Sequence, residues 1–233
     1  MPPTNTDTLK ALIQAETKAE ALFHAVESQG LICPGLTERE ISDKVYELAF
    51  KLFGIRKYWH KRIVRAGENT LLPYRHNPEN LTVQEDDIVF LDFGPVFDDW
   101  EADYGRTYVL GDDPLKHKLN NDLEIIFKRA QRFFIEHCGQ VTGSQLYQYA
   151  CQLSSEHGWV YGGPYAGHLV GQFPHEKILG DDALHYIHPE NHTLMSNPDQ
   201  FGNPRHWILE IHLVDKERRF GGFFEQLLLN HKG

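Results

Sequence analysis

The sequence predicts a single α+β domain that spans residues 1–233, in which amphipathic helices pack against antiparallel strands. Three observations lead to this expectation. Apolar residues recur at helical spacing in four segments. Two further stretches have the pattern of strand pairs joined by short polar turns. No long linker, low-complexity tract or change of composition marks a domain boundary between these elements.

Four segments are expected to be helices because their apolar residues recur every three or four positions and so share one helix face. In chain order they cover residues 7–29, 37–53, 115–137 and 142–157. Thr37 and Glu40 form the capping-box pattern at the start of the second helix. Glycine, which readily adopts the left-handed conformation of a helix end, follows three of the four segments: Gly30, Gly54 and Gly158.

Strands and loops are expected between these helices. Residues 60–66 have the composition of a strand, and the Gly-, Asn- and Pro-rich stretch 67–80 that of a loop. Residues 91–107 are expected to fold as a hairpin. The fourth helix is followed by a glycine-rich loop, a polar segment and a final strand pair, over residues 161–171, 180–206, 207–215 and 219–229.

Composition argues against several classes of protein. The net charge is −10 and there is no basic cluster, so nucleic acid is not an expected partner. No apolar run approaches the roughly 20 residues that cross a bilayer, and the N-terminus lacks the pattern of a targeting segment. Cys33, Cys138 and Cys151 are widely spaced and odd in number, which favours buried thiols in a reducing, cytoplasmic compartment.

The stretch 91–107 places two acids inside segments that otherwise look half-buried. If the hairpin turns near Phe97–Asp98, Asp92 and Asp103 become direct cross-strand partners on one face. Like charges opposite each other destabilise a sheet, so we expect a positive group between them. The other acids of the stretch are expected to be turn and surface charges: Asp98, Asp99 and Glu101.

The final strand pair repeats this arrangement. With its turn at Glu217–Arg218, Glu210 faces Glu225. Three explanations of the two acid pairs remain open. The acids could pair with nearby arginines, they could lie on solvated edge strands, or they could hold hard divalent metal ions, of which two would balance four carboxylates. The nearby arginines are Arg106, Arg218 and Arg219.

Three of the fourteen histidines lie where they could join such a site. His168 is in the glycine-rich loop, His175 follows seven residues later, and His76 lies in the loop before the first acid hairpin. Each is a weak signal on its own. Four others are expected to be structural: His60, His117, His137 and His157. Four aromatic residues are expected either to line a substrate pocket or to join the core: Tyr58, Trp59, Tyr74 and Trp100.

Taken together, these residues resemble the pita-bread metallopeptidase superfamily of methionine aminopeptidase, aminopeptidase P, prolidase and the metal-free creatinase. That superfamily carries, in order, two Asp eleven residues apart, a His in a Gly-His loop, and two Glu in the last strands. The matching residues are Asp92, Asp103, His168, Glu210 and Glu225. The resemblance covers roughly residues 5–230, and the ordered set is far more specific than any single motif.

The resemblance implies a pita-bread fold, in which two pseudo-symmetric αβ halves surround a curved, mainly antiparallel sheet, here as the catalytic domain only. It implies that the five matching residues hold two divalent metal ions (Mn²⁺, Co²⁺, Fe²⁺ or Zn²⁺) with a bridging water. Glu210 would be both a ligand and the proton shuttle. His76 would be the upstream histidine that contacts substrate or stabilises the intermediate, and His175 the downstream histidine. A homodimer is expected from family habit alone.

Departures from the family pattern leave the substrate open. Ile211 stands where the family commonly has proline, and His212 is expected to share the face of Glu210. The segment 180–206 is longer than expected. The leading hypothesis is an aminopeptidase or Xaa-Pro-type peptidase that removes an N-terminal residue. The alternatives are hydrolysis of a non-peptide C–N bond in a small metabolite, and a binding module that has lost catalysis. The last ranks lowest because no ligand of the set is missing.

Overall fold

A computed structural model of the protein describes residues 5–137, 139–178 and 182–229. The helices within these ranges are α1 (Asn5–Ser28), α2 (Glu38–Phe53), α3 (Pro114–Glu136) and α4 (Gly143–Glu156). The strands are β1 (Ile63–Ala66), β2 (Ile88–Phe93), β3 (Val96–Phe97), β4 (Trp100–Glu101), β5 (Tyr104–Val109), β6 (Val160–Tyr161), β7 (Leu169–Val170), β8 (His206–Val214) and β9 (Gly221–Leu227). Short 3-10 helices cover Gly67–Leu71 and Asp182–His185.

The helices begin and end close to the positions expected from the sequence. A capping box precedes α2, in which the Glu40 amide donates to the Thr37 hydroxyl and the Thr37 amide donates to the Glu40 carboxylate. Gly54 ends this helix with a left-handed φ of 71°. A second capping box, between Thr142 and Gln145, precedes α4. None of the described helices is long and apolar enough to cross a membrane.

The main sheet is antiparallel, with the strand order β1-β2-β5-β9-β8-β6 and with β7 paired to β8. Its first half, β1, β2 and β5, shares a core with α1 and α2, and its second half, β8 and β9, shares a core with α3 and α4. The halves meet where β5 pairs β9, at Gly105 and Glu225. This arrangement of two αβ halves around one antiparallel sheet agrees with the predicted pita-bread class.

Alternation along the strands separates the core from a cavity. Leu91 on β2 and Leu209 on β8 pack into the two helix-covered cores. Their neighbours Asp92 and Glu210 point to the opposite face, where they line a cavity. The fold therefore places acids from both halves of the sheet on one surface.

The first hairpin differs from its prediction by two positions in register. Its turn is centred on Asp98–Asp99, with φ values of 50° and 67°, and Asp92 therefore pairs with Gly105. The prediction that Asp92 and Asp103 are direct partners was wrong. A two-residue turn of this kind needs two left-handed residues, which Asp tolerates better than the Phe97 that a turn one residue earlier would require. Because side chains alternate with a period of two, a shift of two keeps both acids on the predicted face.

The second hairpin has the predicted register, since Glu210 pairs with Glu225. The expectation for the cysteines is met in part. Cys33 and Cys151 are free thiols and are half-buried rather than buried. Cys138 lies outside the described residues, as do the first two positions of the 180–206 segment.

Candidate metal centre

A cavity of about 300 Å³ opens on the sheet face that carries Asp92 and Glu210. Its size is at the lower end of the range for small-molecule sites. Aromatic and histidine side chains form most of its wall: Trp59, His60, Tyr74, Phe90, Tyr165, His168, His175, His185, Tyr186, His212 and Phe223.

The four acids singled out from the sequence all line this cavity, and each comes from a different segment. Asp92 is on β2, Asp103 immediately precedes β5, Glu210 is on β8 and Glu225 is on β9. Their side chains are 10%, 2%, 12% and 3% exposed, respectively. Among the described residues, no Lys or Arg lies within 4.0 Å of these carboxylates. Pairing with arginine and solvation at a sheet edge are therefore both excluded as explanations of the acids.

His168 reaches three of the acids from the glycine-rich loop. Its Nε2 lies 3.0 Å from Asp103 Oδ2, 3.6 Å from Glu210 Oε1 and 3.7 Å from Glu225 Oε1. Burial acts to lower the pKa of His168, but the bond to Asp103 and the nearby carboxylate charges outweigh burial and raise it to about 9. The preceding residue, Gly167, has a φ of 131°, and any Cβ there would lie 2.0 Å from the Ile208 carbonyl oxygen. Only glycine lets the loop pack this closely against β8.

His60, which was expected to be structural, contacts the same cluster from the other side. Its Nε2 lies 3.0 Å from Asp103 Oδ1 and 3.5 Å from Asp92 Oδ1. Burial acts to lower its pKa, yet the charges of Asp103 and Asp92 raise it to about 9. Asp103 therefore presents one carboxylate oxygen to each of two histidines.

The acids respond to burial in two ways. Desolvation raises the pKa of Asp92 to about 7 and of Glu210 to about 8, and raises that of Glu225 well above its usual range. Burial acts in the same direction on Asp103, but the neighbouring histidines hold its pKa well below the ordinary value. Without a further cation, burial therefore favours the neutral form of Asp92, Glu210 and Glu225, whereas Asp103 stays ionised between the two histidines.

The residues fit a pair of divalent cations. Glu225 Oε2 is buried and has no hydrogen-bond partner among the described residues, which is costly for a carboxylate unless a cation contacts it. Two groups of donor atoms lie close enough to share an ion, and Asp103 belongs to both. The groups are His60, Asp92, Asp103 and Asp103, His168, Glu225. Carboxylate oxygen with imidazole nitrogen suits Mn²⁺, Fe²⁺, Co²⁺ and Zn²⁺.

His175 lines the cavity and is held by an acid that was expected at the surface. Glu101 is only 1% exposed, so that expectation was wrong. Its carboxylate accepts hydrogen bonds from the His175 ring (2.8 Å), the His175 amide (3.1 Å) and the Gly171 amide (3.1 Å). Trp59 packs edge-on against His60, His168 and His175, with ring centroids 4.4, 5.0 and 5.6 Å apart. This aromatic wall holds the three imidazoles in place.

The structure does not bring His76 into the cavity. Its side chain is exposed, and its carbonyl oxygen accepts hydrogen bonds from Arg65 (2.7 Å) and Lys61 (3.1 Å). Tyr74, two residues earlier, lines the cavity instead and lies 5.7 Å from the His60 ring. A catalytic role of His76 therefore stays a prediction without geometric support.

His212 shares the cavity face with Glu210, as the alternation of β8 predicts. Its Nε2–H donates to the Thr70 carbonyl at 2.8 Å, which ties the loop after β1 to the sheet. Burial lowers the pKa of His212 to about 4, so the ring is neutral near pH 7. His185 and Tyr186, from the described part of the 180–206 segment, close another side of the cavity.

His60 was missed because its position in the sequence does not indicate its partners. His60 is 32 positions before Asp92, and no spacing connects the two. The pairing of Ile63 with Asp92 in neighbouring strands brings them together, because His60 lies only three residues before Ile63. A correct alignment of β1 with β2 would have found it.

Comparison with known proteins agrees with this geometry. A model of metallopeptidase family M24 matches residues 10–208. An Xaa-Pro dipeptidase of Pyrococcus horikoshii is 28% identical over 157 residues, which are 67% of this chain and 42% of that protein. An Xaa-Pro dipeptidase of Lactobacillus helveticus is 29% identical over 175 residues, 71% of this chain and 45% of that protein. The chain thus spans less than half the length of these relatives.

Solved structures show the same fold. A prolidase from Thermococcus sibiricus superposes with a TM-score of 0.73 at 23% identity, over 99% of this chain and 58% of that one. A methionine aminopeptidase from Rickettsia prowazekii superposes with a TM-score of 0.67 at 13% identity, over 94% of this chain and 91% of that one. At these identities the likeness concerns the fold alone.

Proposed function

The chain belongs to metallopeptidase family M24, and we propose that it is a metal-dependent peptidase that removes the N-terminal residue of a short peptide, with preference for proline at the second position. The observation that carries the proposal is the convergence of four buried carboxylates and His168 in one cavity without a Lys or Arg among the described residues to neutralise them. The similarity to two Xaa-Pro dipeptidases supports the choice of substrate.

The ligands in this proposal are Asp92, Asp103, His168, Glu210 and Glu225. Four carboxylates carry the charge that two divalent cations balance, and the unpartnered Oε2 of Glu225 supplies a free donor atom. Two divalent cations bound there would polarise a scissile carbonyl group and lower the pKa of a water between them. The native ion is one of Mn²⁺, Co²⁺, Fe²⁺ and Zn²⁺, since this donor set suits all four.

Other residues of the chain position the substrate and move protons. Glu210 lines the cavity, so its Oε1 can accept a proton from the attacking water and return it to the leaving amine. His175 donates from Nδ1 to Glu101, which orients the ring, so that its other nitrogen can accept a hydrogen bond from the substrate. Trp59 packs against the rings of His60, His168 and His175, which limits the contact of these imidazoles with bulk water.

The cavity, of about 300 Å³, has room for the N-terminal residues of a short peptide or for a small metabolite. Hydrolysis of a non-peptide C–N bond is therefore the second candidate. It is favoured by His185 and Tyr186, which add polar groups to the wall from a segment longer than the family pattern. A reducing compartment is part of the proposal, supported by the free thiols of Cys33 and Cys151. The homodimer stays a prediction, which sedimentation would test.

A substrate panel after metal reconstitution tests the proposal. The purified protein is stripped with a chelator and reloaded separately with Mn²⁺, Co²⁺, Fe²⁺ or Zn²⁺. It is then offered Xaa-Pro dipeptides, Xaa-Pro-Xaa tripeptides and matched peptides without proline. We expect metal-dependent release of the first residue, fastest before proline, and loss of at least 1,000-fold in Asp103→Ala and Glu225→Ala.

Asp98→Asn is the matched control, because Asp98 is an exposed turn acid of the same hairpin with an 82% exposed side chain. It should retain full activity. Cleavage that survives the chelator, or equal rates in Asp103→Ala and the wild type, would contradict the proposal. Metal binding without cleavage of any peptide would favour the second candidate.

A further inference from the structure

His60 and His168 approach the acid cluster with matching geometry. Each imidazole places Nε2 3.0 Å from one oxygen of Asp103, His60 at Oδ1 and His168 at Oδ2. Each places Nδ1 against the carbonyl oxygen of the next residue, at 2.7 Å to Lys61 and 2.8 Å to Leu169. The two side chains are 6% and 11% exposed, so both are held inside the protein.

This geometry settles which nitrogen of each ring is available. A carbonyl oxygen only accepts hydrogen bonds, so Nδ1 must carry a hydrogen in both rings. A metal ion binds the neutral imidazole, in which Nε2 then has a free lone pair directed toward the carboxylate oxygens of the cluster. Metal-binding histidines show this pattern, in which the second ring nitrogen donates to a backbone carbonyl and so orients the ring.

The spacing of the donor atoms fits a shared ion. Ligand atoms bonded to one cation at about 2.1 Å lie about 3.0 Å apart across an octahedral edge and about 3.4 Å apart in a tetrahedron. His60 Nε2 lies 3.0 Å from Asp103 Oδ1 and 3.5 Å from Asp92 Oδ1. From these contacts we infer that His60 is a sixth protein ligand of the metal centre and binds, with Asp92 and Asp103, the ion on its side of the cluster.

The backbone around His60 is built to bring it to this position. The Trp59 amide donates to the Gly94 carbonyl at 2.9 Å, just after β2. A Cβ on Gly94 would lie 2.2 Å from His60 Cδ2 and 2.4 Å from Trp59 Nε1, so no other residue admits the imidazole here without a shift. The aromatic ring of Trp59 then packs edge-on against His60, which restricts its rotation.

His60 as a ligand changes the set of donor atoms at the proposed metal centre. The inference rests on the proposed function, because it assumes that two metal ions bind there. The five-residue pattern gives an imidazole to one ion only. With His60, one imidazole would be available to each ion, and Asp103 would belong to both donor groups. A nitrogen donor on both sides favours Co²⁺, Zn²⁺ and Fe²⁺ over Mg²⁺ and Ca²⁺, which prefer oxygen ligands alone.

A rival arrangement uses the same contacts. His60 could stay protonated and act as a fixed cation between Asp92 and Asp103, in place of one metal ion. The protein would then bind a single ion at His168. Metal stoichiometry separates the two arrangements, since His60 as a ligand requires two ions and His60 as a cation allows one.

Calorimetric titration of the metal-free full chain with Co²⁺ is the first test. The wild type should bind two ions. His60→Gln should bind one ion with unchanged affinity and the other at least 10-fold more weakly. His175→Gln is the control, because it removes an imidazole from the same cavity that bonds to Glu101 rather than to the acid cluster, and it should bind both ions as the wild type does.

One ion in the wild type, or unchanged or tighter binding of two ions in His60→Gln, would overturn the inference. A second measurement needs no variant. In the Co²⁺-loaded wild type, each bound imidazole gives one strongly shifted, solvent-exchangeable N–H proton resonance from Nδ1, so two are expected for His60 and His168 and a single one would refute the assignment. Binding of no ion at all would instead refute the proposed function, whereas two ions without peptide cleavage would leave the assignment of His60 intact.

Discussion

Replacing Glu16 with Gln is expected to stabilise the protein at neutral pH and to leave its stability unchanged in acid. Glu16 is a half-buried residue of α1 whose carboxylate accepts the Leu227 amide of β9. Burial raises its pKa from 4.5 to about 7, although the Leu227 hydrogen bond and Arg106 act to lower it. Because the folded-state pKa is raised, the folded state binds more protons than the unfolded state between these values. Stability from this group is therefore fully present below pH 4.5 and is lost as the pH rises to about 7.

The size of the effect follows from the shift. A pKa difference of about 2.5 units (7 − 4.5) corresponds to a ceiling of about 3.4 kcal/mol. Since the side chain keeps some contact with solvent, we expect about 1–2 kcal/mol, or roughly 2–8 °C in Tm for a protein of this size. Gln keeps an acceptor for the Leu227 amide but carries no charge, so it removes only the titration.

The assay is thermal unfolding of both proteins at pH 4.5, 6 and 8 with equal metal loading. The Tm difference should be near zero at pH 4.5 and largest at pH 8. Glu20→Gln, on the same helix and exposed, is the control for loss of one negative charge. A Tm gain that is the same at all three pH values, or a loss at pH 8, would refute the reasoning.

Three further outcomes are expected. Removing divalent cations should lower the free energy of unfolding by about 2.7 kcal/mol for each site that is filled at a free metal concentration 100 times its Kd. An unchanged Tm on chelation would contradict a bound pair. Glu101→Gln should raise KM for a peptide while the metal content stays at the wild-type value, because it weakens the hydrogen bond that orients His175. Loss of metal in this variant would contradict the prediction, because it would show that Glu101 helps to hold the metal centre. Gly94→Ala should lower the free energy of unfolding in urea by about 1–3 kcal/mol and weaken the binding of one metal ion, because its Cβ would lie 2.2 Å from His60. Wild-type stability and metal affinity in this variant would contradict the prediction, because they would show that the backbone around His60 can shift at no cost.

The sequence alone predicted those features that depend on neighbouring residues and on the alternation of side chains along a strand. The capping box of Thr37 and Glu40 set the start of α2 as expected. The pairing of Glu210 with Glu225 followed from one short turn and the alternation of the strands. The five residues that the family resemblance implied as ligands also line one cavity: Asp92, Asp103, His168, Glu210 and Glu225.

The tertiary structure determined the contacts that the spacing of residues in the sequence does not indicate. The left-handed pair Asp98–Asp99 gives the first hairpin a register two positions from the predicted one, so that Asp92 pairs with Gly105. His60 contacts both Asp92 and Asp103. Glu101 has the sequence context of a turn, yet it is buried because the chain beyond β7 folds over it and presents two amides and an imidazole. His60 joined the cluster through the pairing of β1 with β2 and through the space left by Gly94. Local patterns determine which residues can share a face, whereas contacts between distant segments depend on packing, which appears only once the chain is folded.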